Sequence, residues 1–188
     1  SRFKLISKDI IFFKNDLLLS SKESTDIIDE LNQTLYKLKK FSYSIEKEIL
    51  KGEKIFVNTE FNKPFNDKFF IESGVFNLKD QSYIAKDIDI RLKKNIFGNT
   101  DNDPRFKGLS SSSKNGVTVV NKGIFTSCKE NDSCPPWTIQ AKNMLHDSKK
   151  KTIYYDSALI KVYDLPIFYL PKLSHPDPTV DRRSGFLP

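Results

Sequence analysis

Along most of the chain, apolar and polar residues alternate in short runs, the period of a strand with one dry and one wet face. In "YIAKDIDIRLKK" Ile84, Ile88, Ile90 and Leu92 share one parity, while Asp87, Asp89, Arg91 and Lys93 take the other. The same alternation marks Phe41, Tyr43 and Ile45 in "FSYSI", Ile55 and Val57 in "KIFVNTEF", Trp137, Ile139 and Ala141 in "WTIQAKN", and Ala158, Ile160 and Val162 in "SALIKVYD". Runs of this length predict an all-β fold: a sandwich, a barrel or an open roll.

One stretch departs from that period. "SKESTDIIDELNQTLYKLKK" sets Ile27, Ile28, Leu31, Leu35 and Leu38 at helical spacing behind Ser and Thr residues suited to cap a helix. It also parses as short strands joined by charged turns; a short helix over residues 25–31 is the expectation. "FGNTDNDPRFKGLSSSSKNG", residues 97–116, concentrates Asn, Asp, Gly, Pro and Ser and predicts a long surface connection. "NDSCPP" reads as a second loop, in which Pro135 and Pro136 favour extended backbone before Trp137.

Composition supports strands. Fifteen Phe and seven Tyr stand against one Met and one Trp. The length of 188 residues predicts one domain with a real core. The net charge of +7 favours an anionic partner, but few of the basic residues are Arg and the charge alone selects no class of partner. The chain opens on "SRFKL", with no initiating Met and no apolar run long enough to cross a membrane as a helix, and reads as a segment of something longer.

Candidate chemistry is sparse. No nucleophile elbow, zinc-protease motif or phosphate loop occurs, and seven Gly leave little material for a phosphate cradle. No enzyme, cofactor or metal is expected. Asp87 and Asp89, two apart on a strand, share a face as a glycosidase pair would, yet such acids are usually a solvated face. His175, Asp177 and Asp181 in "SHPDPTVD" fit a structural turn. Cys128 and Cys134 are six residues apart, a spacing that suits a local disulfide loop; a zinc site would need His146 and His175 as well.

The second half of the chain carries an ordered set of motifs: "TSC" after a strand, "PPW" opening the next, an "HD" turn, "IYY" with "ALIKVY", then "PIFYLP" and "RRSGFLP". In these it resembles the end of the periplasmic region of the LptD family of lipopolysaccharide-assembly outer-membrane proteins, in the OstA superfamily. "DKFFIESGVFNLKDQSYIAKDIDIRL" is similar to that family's strand-turn-strand rungs. The likeness is strong over residues 67–188 and weaker before residue 40.

The resemblance implies an open antiparallel β-jellyroll, or β-taco, over residues 1–164. Residues 165–188 would be an extended Pro-rich connector toward a C-terminal transmembrane barrel outside the chain. It implies a groove that shields acyl chains of lipopolysaccharide, at the periplasmic face of the outer membrane. The implied partners are lipopolysaccharide, the periplasmic bridge protein LptA and, through the barrel, the lipoprotein LptE, with no nucleic acid. Cys128 matches the family's cysteine position; its partner is Cys134 or a cysteine outside the chain, in an oxidising compartment. Parity then selects Phe12, Tyr43, Ile45, Val57, Phe76, Ile88, Ile90, Ile139, Ile160 and Val162 as candidates to line the groove. Three alternatives stand beside this reading: a nucleic-acid-binding β module, a soluble bridge protein of the same superfamily, and a carbohydrate-active jellyroll using Asp87 and Asp89.

Overall fold

Alternating runs become strands throughout. The computed structural model describes residues 2–93, 103–129, 136–176 and 180. Among them thirteen strands form one antiparallel sheet, with no helix. In chain order these are β1 (Phe3–Ser7), β2 (Ile11–Phe13), β3 (Leu18–Ser21), β4 (Thr25–Asp29), β5 (Thr34–Ser44), β6 (Ile49–Asn58), β7 (Lys68–Asn77), β8 (Ser82–Arg91), β9 (Arg105–Lys114), β10 (Val117–Thr126), β11 (Trp137–Asp147), β12 (Thr152–Val162) and β13 (Leu165–Pro176). From β4 to β13 every strand pairs with the next in sequence, and β1 and β13 do not meet, so the sheet is unclosed.

One line of irregularity crosses the whole sheet. The ladders lose a pair at Lys54 and Glu72, at Glu72 and Asp87, at Asp87 and Leu109, at Lys122 and Lys142, and at Ser157 and Pro171. Lys40, Lys54, Asp87, Lys122 and Ser157 lie on it in the left-handed region, with φ of 47°, 49°, 49°, 48° and 55°. Two adjacent residues face outward there, as at Lys39 and Lys40, Glu53 and Lys54, Lys86 and Asp87, and Asn121 and Lys122. The inward parity therefore flips: in β8 Tyr83 and Ala85 point inward before the line, and Ile88 and Ile90 after it. Each long strand folds over this line, as bulged strands do, and the sheet becomes two facing layers.

At the N-terminal edge the fold becomes a break. The first half of β5 pairs with β4 and its second half with β3. Ser7, Ser21 and Thr25 sit where the chain crosses between layers; the Thr25 hydroxyl bonds Ser7 Oγ at 2.9 Å, and Ser21 Oγ accepts the Glu23 N–H at 3.0 Å.

Small residues fill the inside of the crease, because the two layers converge there. Of the inward pair flanking the line, one member is Gly or Ala in Gly52 and Ile55, Ile71 and Gly74, Ala85 and Ile88, Val120 and Gly123, Ala141 and Met144, and Tyr155 and Ala158. A Cβ on Gly108 would lie 2.3 Å from Val120 Cγ1, and one on Gly123 would lie 2.6 Å from Met144 Sδ. The core runs along this crease, from Leu38 and Phe41 to Tyr155 and Ala158.

Three expectations change. The helix over residues 25–31 is absent: β4 pairs with β5, Ile27 opposite Tyr36 and Asp29 opposite Thr34. Asp29 stops it, because its carboxylate accepts the N–H groups of Leu31 and Asn32 at 3.1 Å and closes a turn that leaves Leu31 73% exposed. Half of the surface connection expected over 97–116 is a strand: residues 105–114 form β9, and Asn115 and Gly116, with φ of 55° and 81°, make the two-residue hairpin to β10. Residues 97–102 lie outside the described residues. The Pro-rich ribbon is extended as its prolines require, yet residues 165–176 are β13, the edge strand paired with β12. Opposite Pro171, which has no N–H to give, Ser157 drops out of the ladder.

Candidate functional site

Cross-strand register assembles two long rows of side chains on the inner faces of the layers. One runs through directly opposed residues Leu5, Ile27, Tyr36, Val57, Phe69, Ile90, Phe106, Phe125, Ile139, Ile160 and Phe168. Every member is apolar or aromatic. At about 4.8 Å per strand the row extends on the order of 50 Å. The second row runs Phe12, Leu19, Tyr43, Leu50, Phe76, Tyr83, Ser113, Thr118, His146, Ile153 and His175. It is apolar as far as β7 and polar across β8 to β11.

The rows face each other across two adjoining spaces. A cavity of about 340 Å³ lies between Tyr36, Val57 and Phe69 on one side and Phe76 and Tyr83 on the other. A second, of about 420 Å³, lies between Phe69, Ile90 and Phe106 and the residues Tyr83, Thr118, His146 and Ile153. Phe69 and Tyr83 border both. Ring contacts bridge the layers, Tyr36 edge-on to Phe76 at 6.0 Å at the first cavity and Phe125 tilted over His175 at 6.3 Å.

The walls carry little charge. Burial, with the nearby Asp29 charge, pushes the Tyr36 phenol up to about 12, and burial also raises Tyr83 and Tyr155, so all three remain neutral hydroxyls at physiological pH. Tyr155 hydrogen-bonds His175 Nε2 at 2.8 Å, while His175 Nδ1 lies 2.7 Å from the Pro176 carbonyl; the ring donates to that carbonyl and accepts from the phenol. Charge gathers at the margins. Burial raises the Asp67 carboxyl beside the larger cavity although it accepts the Lys93 N–H at 2.9 Å. Lys93 Nζ is itself 3.6 Å from Glu60.

Of the residues that parity selects, Val57, Ile90, Ile139 and Ile160 stand in the first row, and Phe12, Tyr43 and Phe76 in the second. Val57, Phe76 and Ile90 border the cavities. Ile88 is buried beside the crease. Phe12 is exposed at the end of its row, because β2 has a neighbour on one side only. Ile45 and Val162 are exposed as well, contrary to their parity: Ile45 lies beyond the end of β5, its N–H bonded to the Leu17 carbonyl, and Val162 ends β12 at a hairpin.

Phe69, Tyr83, Phe106, Thr118 and Met144 border the cavities without having been selected. The signal was present in the paired polar residues that interrupt each alternating run. Continuing parity through Lys86 and Asp87 puts Ile84 inside; it is 69% exposed, and Tyr83 and Ala85 take the inner face.

Elsewhere the arrangement is that of paired surface charges and local bonds. Asp87 meets Lys86 at 3.9 Å and Asp89 meets Lys107 at 3.4 Å, both on the outer face. Cys128 is half-buried and makes no disulfide among the described residues, its sulfur 3.8 Å from the Trp137 carbonyl. Cys134 lies outside the described residues, and with it the local pairing.

No protein-family model matches the chain. It is similar to the LPS-assembly protein LptD of Escherichia coli strain K12, 33% identical over 79 residues, which is 42% of this chain and 10% of that protein. The LptD of Sodalis glossinidius is 36% identical over 73 residues, covering 39% of this chain and 9% of the relative. That of Yersinia pestis bv. Antiqua strain Antiqua is 33% identical over 70 residues, covering 37% and 9%. The chain thus matches about a tenth of the length of these curated relatives. Over about two fifths of its length this open all-β chain is similar to the LptD proteins of these bacteria.

Proposed function

We propose that the chain is a lipopolysaccharide-binding domain of an LPS-assembly protein at the periplasmic face of the outer membrane. On this reading it receives lipopolysaccharide from the bridge protein LptA and passes it to a transmembrane barrel associated with LptE. The strands from β1 to β13 hold the acyl chains, and the chain after β13 leads on toward the barrel. Cys128 is oxidised there, with Cys134 or a cysteine outside the chain.

The observation that carries the reading is the unbroken apolar row from Leu5 to Phe168, set against a second row across two adjoining cavities. A slot lined from many strands stabilises an acyl chain by about 0.8 kcal/mol per buried CH₂, while an unclosed sheet leaves sugars in water. Such a gain is the same in either direction along the slot, so directionality belongs to partners. The work is transfer without covalent chemistry. Of the aromatic rings that a nucleic-acid module would stack on bases, Tyr36, Phe69, Phe106 and Phe125 point inward, while Phe12, Phe13, Phe168 and Tyr169 are exposed at the two ends of the sheet.

A photo-crosslinking amino acid placed in cells at Val57, Phe69, Phe76, Ile90 and Phe106 should capture lipopolysaccharide. The outward positions Asp87, Asp89 and Lys161 should not. Equal capture at both sets, or at neither, would overturn the lipid-transport reading.

A further inference from the structure

The polar part of the second row lies where an acyl groove needs only apolar surface. Tyr83, Ser113 and Thr118 are directly opposed on β8, β9 and β10, and with His146 on β11 they form one wall of the 420 Å³ cavity. Phe69, Ile90 and Phe106 form the other. The hydroxyls of Tyr83 and Ser111 are 3.1 Å apart, Thr118 donates to Ser113 Oγ at 3.0 Å, and Thr118 also bonds Tyr83.

These hydroxyls do not satisfy one another. Each brings one donor and two acceptor lone pairs. Three bonds among Tyr83, Ser111, Ser113 and Thr118 use three of the four donors, leaving one O–H and several lone pairs for a guest. Bare alkyl laid against this wall would strip water from them and return nothing, whereas a guest hydroxyl both donates and accepts. The burial that raises the Tyr83 phenol keeps it a neutral hydroxyl; its proton goes to Thr118, whose own goes to Ser113, so Tyr83 offers a guest a lone pair and the Ser113 O–H is the donor left over.

We propose that this cavity selects a hydroxylated fatty acyl chain over a plain one, with Tyr83, Ser113 and Thr118 as the residues that read the hydroxyl. The inference rests on the lipid-groove reading above and assigns the chemistry of the chain that fits this part of it.

The test is displacement of a fluorescent fatty-acid probe from the full chain by tetradecanoic acid and by its 3-hydroxy derivative. The hydroxylated acid should bind about fivefold tighter, the ordinary worth of one net hydrogen bond. The double variant Ser113→Ala, Thr118→Val should lose that preference and bind the plain acid at least as tightly as the wild type does. Tyr83→Phe, which removes the neighbouring hydroxyl from another strand, should also weaken the preference, with far-ultraviolet circular dichroism checking that each variant folds. Equal binding of the two acids by the wild type, or a preference that survives in all variants, overturns the selection and leaves the groove reading standing. Binding of neither acid overturns both.

Discussion

Asp29 keeps its charge while its side chain is 1% exposed. Burial alone would raise its carboxyl, but hydrogen bonds from Arg2 and Asn32 and the Arg2 charge outweigh it and hold the group below the usual carboxylate range. A folded-state value below the unfolded one means stability that is present above about pH 4 and drains away as pH falls through the folded value. Asp29→Ala leaves Arg2 only the Leu78 carbonyl and Glu48 and unties the turn after β4, and should cost about 1–3 kcal/mol in urea unfolding at neutral pH. Asp29→Asn should remove the Asp29 share of the acid-side slope. Asp67 has the opposite sign, since burial raises its carboxyl and folding favours the protonated form. Its penalty appears as pH rises through the folded value, so Asp67→Asn, which keeps an acceptor for the Lys93 N–H, should raise the urea midpoint at pH 7. Variant and wild type should converge below about pH 4.

At the scale of the strand, the crease sets the rules. Gly108 is boxed by the stiff Val120 side chain, and a Cβ would also come within 3.3 Å of the Asn121 carbonyl. Gly108→Ala should therefore cost about 1–3 kcal/mol by overpacking. Gly123→Ala meets the pliable end of Met144 and should cost less. At Gly52 the nearest atoms to a new Cβ are 3.5 Å away, an ordinary contact, so Gly52→Ala should be neutral or slightly stabilising. Thermal or urea unfolding of the three variants gives the order directly. A Gly52→Ala variant as unstable as Gly108→Ala would mean that convergence of the layers does not explain the small residues. The same crease explains why simple parity misplaces Ile84: two consecutive outward residues shift the alternation by one.

At the scale of the whole molecule, an unclosed sheet has two ends, and both are apolar. Ile11, Phe12 and Phe13 are exposed at one, and Leu165, Phe168 and Tyr169 at the other. Exposed apolar groups of this size favour association. Pro166, Pro171 and Pro176 lack donors for a further strand, so side-chain contact rather than a continued ladder is the route at β13. Light scattering of the isolated chain should give a mass that rises with concentration, and Phe168→Lys with Tyr169→Lys should reduce it. A concentration-independent monomer in both would show that these ends do not associate.

Alternation by itself determined the class of this protein, because a period of two buries one face of a strand whatever its neighbours are. It also carried Tyr43, Val57, Phe76, Ile90, Ile139 and Ile160 to the inner face, and the ordered motifs from Cys128 onward carried the likeness to LptD. Local pattern failed where pairing decided. The 25–31 segment has helical spacing, yet its burial against Tyr36 and Leu38 exists only once β4 lies beside β5. The serines of residues 110–113 read as a loop, and they are a strand because β8 and β10 hold both of its edges. Membership of a row was likewise beyond reach, since Tyr83, Ser113, Thr118 and His146 meet across as many as 63 positions of sequence only through register. Register and the fold line are properties of the assembled sheet, and they alone determine which side chains face each other across the groove.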